Sequence, residues 1–225
     1  MATAQIDDHS WMRTLRRLLS VFPVEWLPAL FDLIHALFRW FTARHDGLYE
    51  ILSYESALEL ADVKGRRATV RKRQRVRFLQ NDIAAFQDIV YGDGSIFESY
   101  DVSPGIAADR YREGDRWHVL ISLRATKNRG DVEDFLLTRR IQDGFTHKEE
   151  WWEVELRHPT RWLRLSIVFP KGRPCRGASL TQRSRHRTQE LGPECFSTLP
   201  DGRQQLHWET RNVQSLEVYT IRWSW

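Results

Sequence analysis

"RRATVRKRQRVRF", residues 66–78, places seven Arg or Lys in thirteen positions with no acid among them. The order of these residues says more than their charge. Ala68, Val70, Val76 and Phe78 occupy even positions, whereas Arg67, Thr69, Arg71, Arg73, Arg75 and Arg77 occupy odd ones. A repeat of two puts successive side chains on opposite faces of a strand, one greasy and one charged. The preceding stretch "LYEILSYESALEL", residues 48–60, repeats the pattern: Leu52, Tyr54, Leu58 and Leu60 are even, Glu55 and Glu59 odd.

Cross-strand partners share a face, so the turn between these strands must hold an odd number of residues. A three-residue Lys64-Gly65-Arg66 loop, with Gly65 available for positive φ, satisfies that parity. It predicts Glu59 opposite Arg71, Glu55 opposite Arg75, Tyr54 opposite Val76 and Leu52 opposite Phe78. Opposite-charge pairs of this kind contribute roughly 0.2–1 kcal/mol each. Arg73 and Arg77 are left without partners, about 13 Å apart along the strand. They are the first candidates for holding an anion.

Outward from this hairpin the same signal recurs at short intervals. Strands are predicted at 83–91, 95–100, 117–124, 132–141, 149–157, 161–169, 178–183, 204–210 and 216–225. Turn chemistry separates them, as at Gly92-Asp93-Gly94, Asn128-Arg129-Gly130-Asp131, Asp143-Gly144 and Pro200-Asp201-Gly202. About ten short strands with no helical stretch between them indicate a mainly β fold, an antiparallel β-sandwich or a Greek-key barrel. Residues 101–116 read as a long connection and a candidate functional loop.

Ahead of Gly47 the period changes to that of a helix. "WMRTLRRLLSVF" after Ser10 and "WLPALFDLIHALFRWFTAR" up to Asp46-Gly47 predict an apolar helical segment. The chain therefore divides into a helical head, 1–47, and a β domain, 48–225. In the second helix Glu25, Asp32, His35, Arg39 and Thr42 form a single narrow polar stripe. Trp26, Phe31, Ile34, Phe38, Trp40 and Phe41 then form a docking surface for a protein partner, a second copy, or a bilayer interface. Charges and two prolines interrupt the run, which argues against a membrane span.

The formal charge of +4 is unevenly distributed over 225 residues. Window 64–77 holds eight basic residues and window 171–187 six, neither with an acid. Outside those fourteen, twenty basic residues face thirty acidic ones. The second window, "KGRPCRGASLTQRSRHR", reads as loop-like and out of reach of neutralising acids. Lys171, Arg173, Arg183, Arg185 and Arg187 join Arg73 and Arg77 as candidates for contact with phosphate or an acidic headgroup. Aromatic residues are not interleaved with these arginines as stacked bases would need, so nucleic acid is disfavoured as a partner.

Catalytic patterns are missing. No G-x-S-x-G, P-loop or G-x-G-x-x-G run occurs. Cys175, His186, Cys195 and His207 lack the paired spacing of a zinc site, so no metal or cofactor is expected. Two cysteines and no signal-peptide cleavage pattern indicate a reducing cytoplasm, with peripheral membrane attachment as a variant. The expected function is a non-catalytic binding or assembly module. The rivals are a peripheral membrane protein or effector, and a β-barrel that binds or hydrolyses a small ligand behind the 101–116 connection.

Overall fold

A computed structural model describes residues 47–92, 95–114, 116–214 and 216–225. The helical head with its docking residues Trp26, Phe31, Ile34, Phe38, Trp40 and Phe41 lies outside the described residues. The rest is mainly β, with fourteen strands in three sandwich-like sheets. The first seven strands are β1 Tyr49–Leu60, β2 Arg67–Phe78, β3 Ile83–Val90, β4 Ser95–Ser103, β5 Ile106–Glu113, β6 Arg116–Lys127 and β7 Val132–Gln142. The others are β8 Glu149–Leu156, β9 Leu163–Val168, β10 Gly177–Gln182, β11 Arg187–Glu190, β12 Phe196–Thr198, β13 Gln204–Thr210 and β14 Glu217–Ser224. A seven-stranded sheet runs β12-β13-β9-β1-β2-β7-β4, a four-stranded sheet β11-β10-β14-β8, and a three-stranded sheet β3-β6-β5.

The two smaller sheets cover one face of the large one. Phe86 of β3 stacks on Phe135 of β7, with ring centroids 4.4 Å apart, which fixes the three-stranded sheet over β2 and β7. Trp208 of β13 meets Tyr219 of β14 at 5.5 Å, and Phe169 meets Trp223 at 6.0 Å, which fixes the four-stranded sheet over β9 and β13. Leu58, Val70, Leu165, Ile121, Leu180 and Ile221 fill the space between. Alternation decides which side chains enter this core, because a pleated strand offers only every second residue to it.

The register of the first hairpin differs from the expected one by two residues. Glu59 stands opposite Thr69, Ala57 opposite Arg71, Glu55 opposite Arg73 and Ser53 opposite Arg75. From Ser53 onward the faces are as alternation requires, whereas before it Tyr49 and Ile51 are buried in place of Leu52, and Glu55 and Arg75 are not cross-strand partners. Asp62 is the cause. Its carboxylate accepts hydrogen bonds from the backbone N–H groups of Lys64, Arg66 and Arg67 at 2.9, 3.3 and 2.8 Å. That closes a five-residue loop, 62–66, in place of the three-residue one. Gly65, at φ +68°, presses on the β7–β8 connection so closely that a Cβ there would lie 1.5 Å from the Phe145 carbonyl oxygen. A bulge between Ile51 and Ser53 then shifts the pairing once more, to Tyr49 with Phe78.

Two further expectations are corrected. The sheets are not wholly antiparallel, since β1 and β9 run parallel from Tyr54 with Leu163 to Glu59 with Val168. The chain between them passes through strands of all three sheets, so the missing helix was no obstacle. Residues 101–116 are no loop either. They hold the end of β4, a turn through a cis Ser103-Pro104 bond, and β5, an edge strand exposed along its whole length. A strand that buries no side chain shows no apolar alternation.

Candidate functional site

The open face of the seven-stranded sheet carries the arginines of β2, and acids of the neighbouring strand β1 reach two of them, Arg71 and Arg77. Arg71 donates to Glu59 at 2.8 Å, diagonally across the hairpin, and Arg203 donates to the other Glu59 oxygen at 2.7 Å. Hydrogen bonds from these two arginines hold the Glu59 carboxyl below its ordinary range. Arg77, expected to lack a partner, donates to Glu50 at 2.8 Å, and Glu50 also takes Arg161. Glu55 lies 3.8 Å from Arg164, which in turn binds Glu209 at 2.8 Å. Arg73 and Arg75 make no ion pair among the described residues. Opposite them on β7 stand exposed Leu136 and Asp134.

The second basic window is also largely engaged. Arg173 stacks over the Trp225 ring at 3.8 Å and donates to the carbonyls of Val63 and His147 at 3.2 and 2.8 Å. Arg183 donates to Glu153 at 2.6 Å, so the window is within reach of acids after all. Glu217 anchors the same turn by accepting from the Ser184 backbone N–H at 2.9 Å and from its hydroxyl. Lys171 lies against Gly202. Arg185 and Arg187 are exposed and make no ion pair among the described residues. The seven candidate anion-binding residues are therefore divided between different sheets rather than gathered in one place.

Lys72 and Gln74 break the alternation of β2 and face inward. Lys72 Nζ donates to Asp88 at 2.7 Å and to the Ile89 carbonyl at 3.0 Å, and the Tyr100 hydroxyl donates to the other Asp88 oxygen at 3.1 Å. Burial works to lower the Lys72 ammonium, but the Asp88 carboxylate outweighs it and the net shift is upward. Burial brings the nearby Arg139 down to about 10. The adjoining cavity, lined by Tyr54, Gln74 and Asp88, measures about 50 Å³. That is room for a water or two and no larger ligand. This network is a structural joint between two sheets.

The larger open space lies on the outer face of the four-stranded sheet. Two depressions of about 510 and 600 Å³ share Trp151, Ser179 and Arg222 and so form one trough. The pairing lines its floor in rows across the strands. In the middle row Ser179 of β10 stands opposite Arg222 of β14, which stands opposite Trp151 of β8. In the next row Thr181 faces Thr220, which faces Glu153, and Thr188 of β11 completes the row. Glu149 and Glu190 stand at the margins, and Tyr91 forms a wall beside Trp151.

These two rows differ in their bonding. Glu153 accepts from Arg183 and, at 3.0 Å, from the Thr220 hydroxyl, while the Thr181 and Thr188 hydroxyls bond each other at 3.0 Å. In the middle row the Arg222 guanidinium and the Trp151 indole make no side-chain hydrogen bond, ion pair or ring contact among the described residues. Trp151 is 38% exposed although Trp152, next to it, is buried in the core. The wall is firm: the Tyr91 hydroxyl donates to Glu155, which also takes Arg157 at 3.0 Å. Burial alone would raise the Glu155 carboxyl, but these donors bring it below its ordinary range.

The predicted strand at 149–157 carries no candidate site residue. The missed signal is one residue. Alternation puts Trp151 on the charged face with Glu149 and Glu153, where a large aromatic has no packing role.

Among the described residues no group of three or more His, Cys, Asp or Glu is placed to hold a metal ion. Cys175 and Cys195 are free thiols, and burial pushes the first up to about 11. No described helix is long and apolar enough to cross a membrane.

No protein-family model matches the chain, and no curated protein matches it in sequence. Solved structures align with the chain at TM-scores below 0.5. A Parabacteroides distasonis protein assigned as a protease aligns at 12% identity and TM-score 0.46, over 79% of this chain and 40% of its own. An M1 zinc metallopeptidase from Deinococcus radiodurans aligns at 11% identity and TM-score 0.44, over 77% of this chain and 42% of its own. A single-residue variant of that enzyme gives 10% and 0.47, over 78% and 42%. The chain thus spans about two fifths of the length of these proteins.

Proposed function

We propose that the chain is a non-catalytic binding module whose ligand lies across the open face of the four-stranded sheet. The observation that supports this reading is the middle row of the trough. Arg222 and Trp151 are adjacent, accessible and without side-chain partners among the described residues, Arg222 on β14, which is paired on both sides, and Trp151 on the edge strand β8. Rigid strands position such groups at little entropic cost to the ligand complex. The rival anion-docking reading has less support, because Arg77, Arg173 and Arg183 are each held by groups of the domain itself. An assembly role for residues 10–45, through a partner protein or a second copy, is compatible with this and independent of it.

Hydroxyl-radical footprinting of the full chain tests the proposal. Peptide mixtures, oligosaccharide mixtures, inorganic phosphate and anionic vesicles serve as separate titrants. At least one is expected to protect residues 149–153 and 220–224 together while 71–77 keep their reactivity. Protection confined to 71–77, or none with any titrant, would overturn the reading.

A further inference from the structure

Within that binding reading, on which this inference rests, we infer that the trough takes an uncharged polyhydroxylated ligand of the oligosaccharide class, with Trp151 as its stacking surface. Three properties of the floor lead there.

The first is charge. Glu149, Glu153 and Glu190 face only Arg183 and Arg222 on this surface, and Arg183 is already bound to Glu153. A phosphorylated or carboxylated ligand would meet an excess of carboxylates, and a strongly cationic one would meet Arg222 at the centre. Neutral ligands meet neither obstacle.

The second is hydrogen-bonding capacity. Ser179, Thr181, Thr188, Thr220 and Ser224 place five hydroxyls on the floor. Ser179 and Ser224 can donate and accept, whereas Thr220 is left to accept because its proton goes to Glu153. Thr181 and Thr188 share one bond and keep one free donor between them, Arg222 only donates, and Glu149 and Glu190 only accept. A ligand that is itself made of hydroxyls can match such a mixture at many positions. Strands β10 and β14 are paired on both sides, so a peptide could add backbone bonds only along the outer edges of β8 and β11 and not across the floor.

The third is the aromatic. Apart from Trp151 and the Tyr91 wall, the open floor presents no large apolar side chain. This gives an apolar partner helix too little area to bury. One indole suits a ring whose faces are C–H and whose rim is hydroxyl, with Arg222 one strand away to grip the rim. Four strands at about 4.8 Å spacing give a floor roughly 14 Å across, room for two to three sugar rings.

The test is isothermal titration of the full chain with glucose, galactose, mannose and N-acetylglucosamine oligosaccharides. Trp151→Ala, Trp151→Phe and Arg222→Ala run in parallel, each checked for an unchanged melting temperature. At least one oligosaccharide is expected to bind. Trp151→Ala should weaken it tenfold or more, Trp151→Phe less, and Arg222→Ala threefold or more. Binding that is indifferent to all three variants overturns the inference, as does an absence of binding across the panel. If footprinting shows peptides protecting Trp151 while no oligosaccharide does, the ligand class is wrong and the binding face stands. If nothing protects Trp151, both fall.

Discussion

Lys72→Met and Asp88→Asn, alone and together, probe the joint that sets the three-stranded sheet on the large one. The Lys72 side chain is 10% exposed and that of Asp88 4%, so neither charge has recourse to water. Breaking such a pair on one side costs about 3–5 kcal/mol, mostly because the surviving charge stays buried. Asp88→Asn keeps an acceptor for the Tyr100 hydroxyl, which now lies 3.1 Å from an Asp88 oxygen, so its effect isolates the charge. The double variant removes both charges and should lose only about 1–2 kcal/mol, the worth of an imperfectly satisfied amide. Urea unfolding followed by circular dichroism gives all four corners of the cycle. A domain of this size shifts roughly 2–4 °C per kcal/mol, so each single variant should melt about 6–20 °C lower. The two single losses should exceed the double loss by several kcal/mol. Additivity within ~0.5 kcal/mol would mean that Lys72 and Asp88 act independently, and the joint would not exist as described.

Four other outcomes follow from the same geometry. Burial depresses His158 to about 4 against an unfolded value near 6.5, so only the unfolded chain gains a proton between those limits. Stability should fall as pH drops from 6.5 to 4 and then level off for this group, by roughly 3 kcal/mol at most; His158→Phe, which keeps a ring against Tyr49, should flatten that slope. Gly65→Ala should destabilise by at least ~2 kcal/mol in urea unfolding, since its Cβ would collide with the Phe145 carbonyl. Replacing Arg71 and Arg77 by Ala should cost about 1–2 kcal/mol through lost pairs with Glu59 and Glu50, whereas Arg73 and Arg75 to Ala should change stability by less than ~0.5 kcal/mol. A thiol-specific reagent at neutral pH should label half-exposed Cys195 before buried Cys175.

Much of the architecture was legible because burial writes itself into alternation. The predicted strand at 132–141 appears as β7 over 132–142, and the one at 178–183 as β10 over 177–182. Three kinds of feature escaped. β5 buries nothing, so it carries no apolar period. The hairpin register depended on the Asp62 carboxylate closing a longer loop, a local hydrogen-bond choice that parity leaves open. The parallel neighbour of β1 lies about a hundred residues away, and no local pattern names a partner at that distance. The trough escaped for a related reason. Its middle row draws Ser179, Arg222 and Trp151 from three strands, and only Trp151 breaks its own strand's pattern.

Fluorine NMR of the full chain carrying fluorotryptophan would test the binding face most directly. Trp151→Phe identifies the line of Trp151, and Trp208, half-buried and packed on Tyr219, serves as internal reference. On titration with the oligosaccharides, the Trp151 line should move in a saturable way while the Trp208 line stays fixed. A Trp151 line that holds still under every ligand class, or that moves only in step with Trp208, would contradict the account.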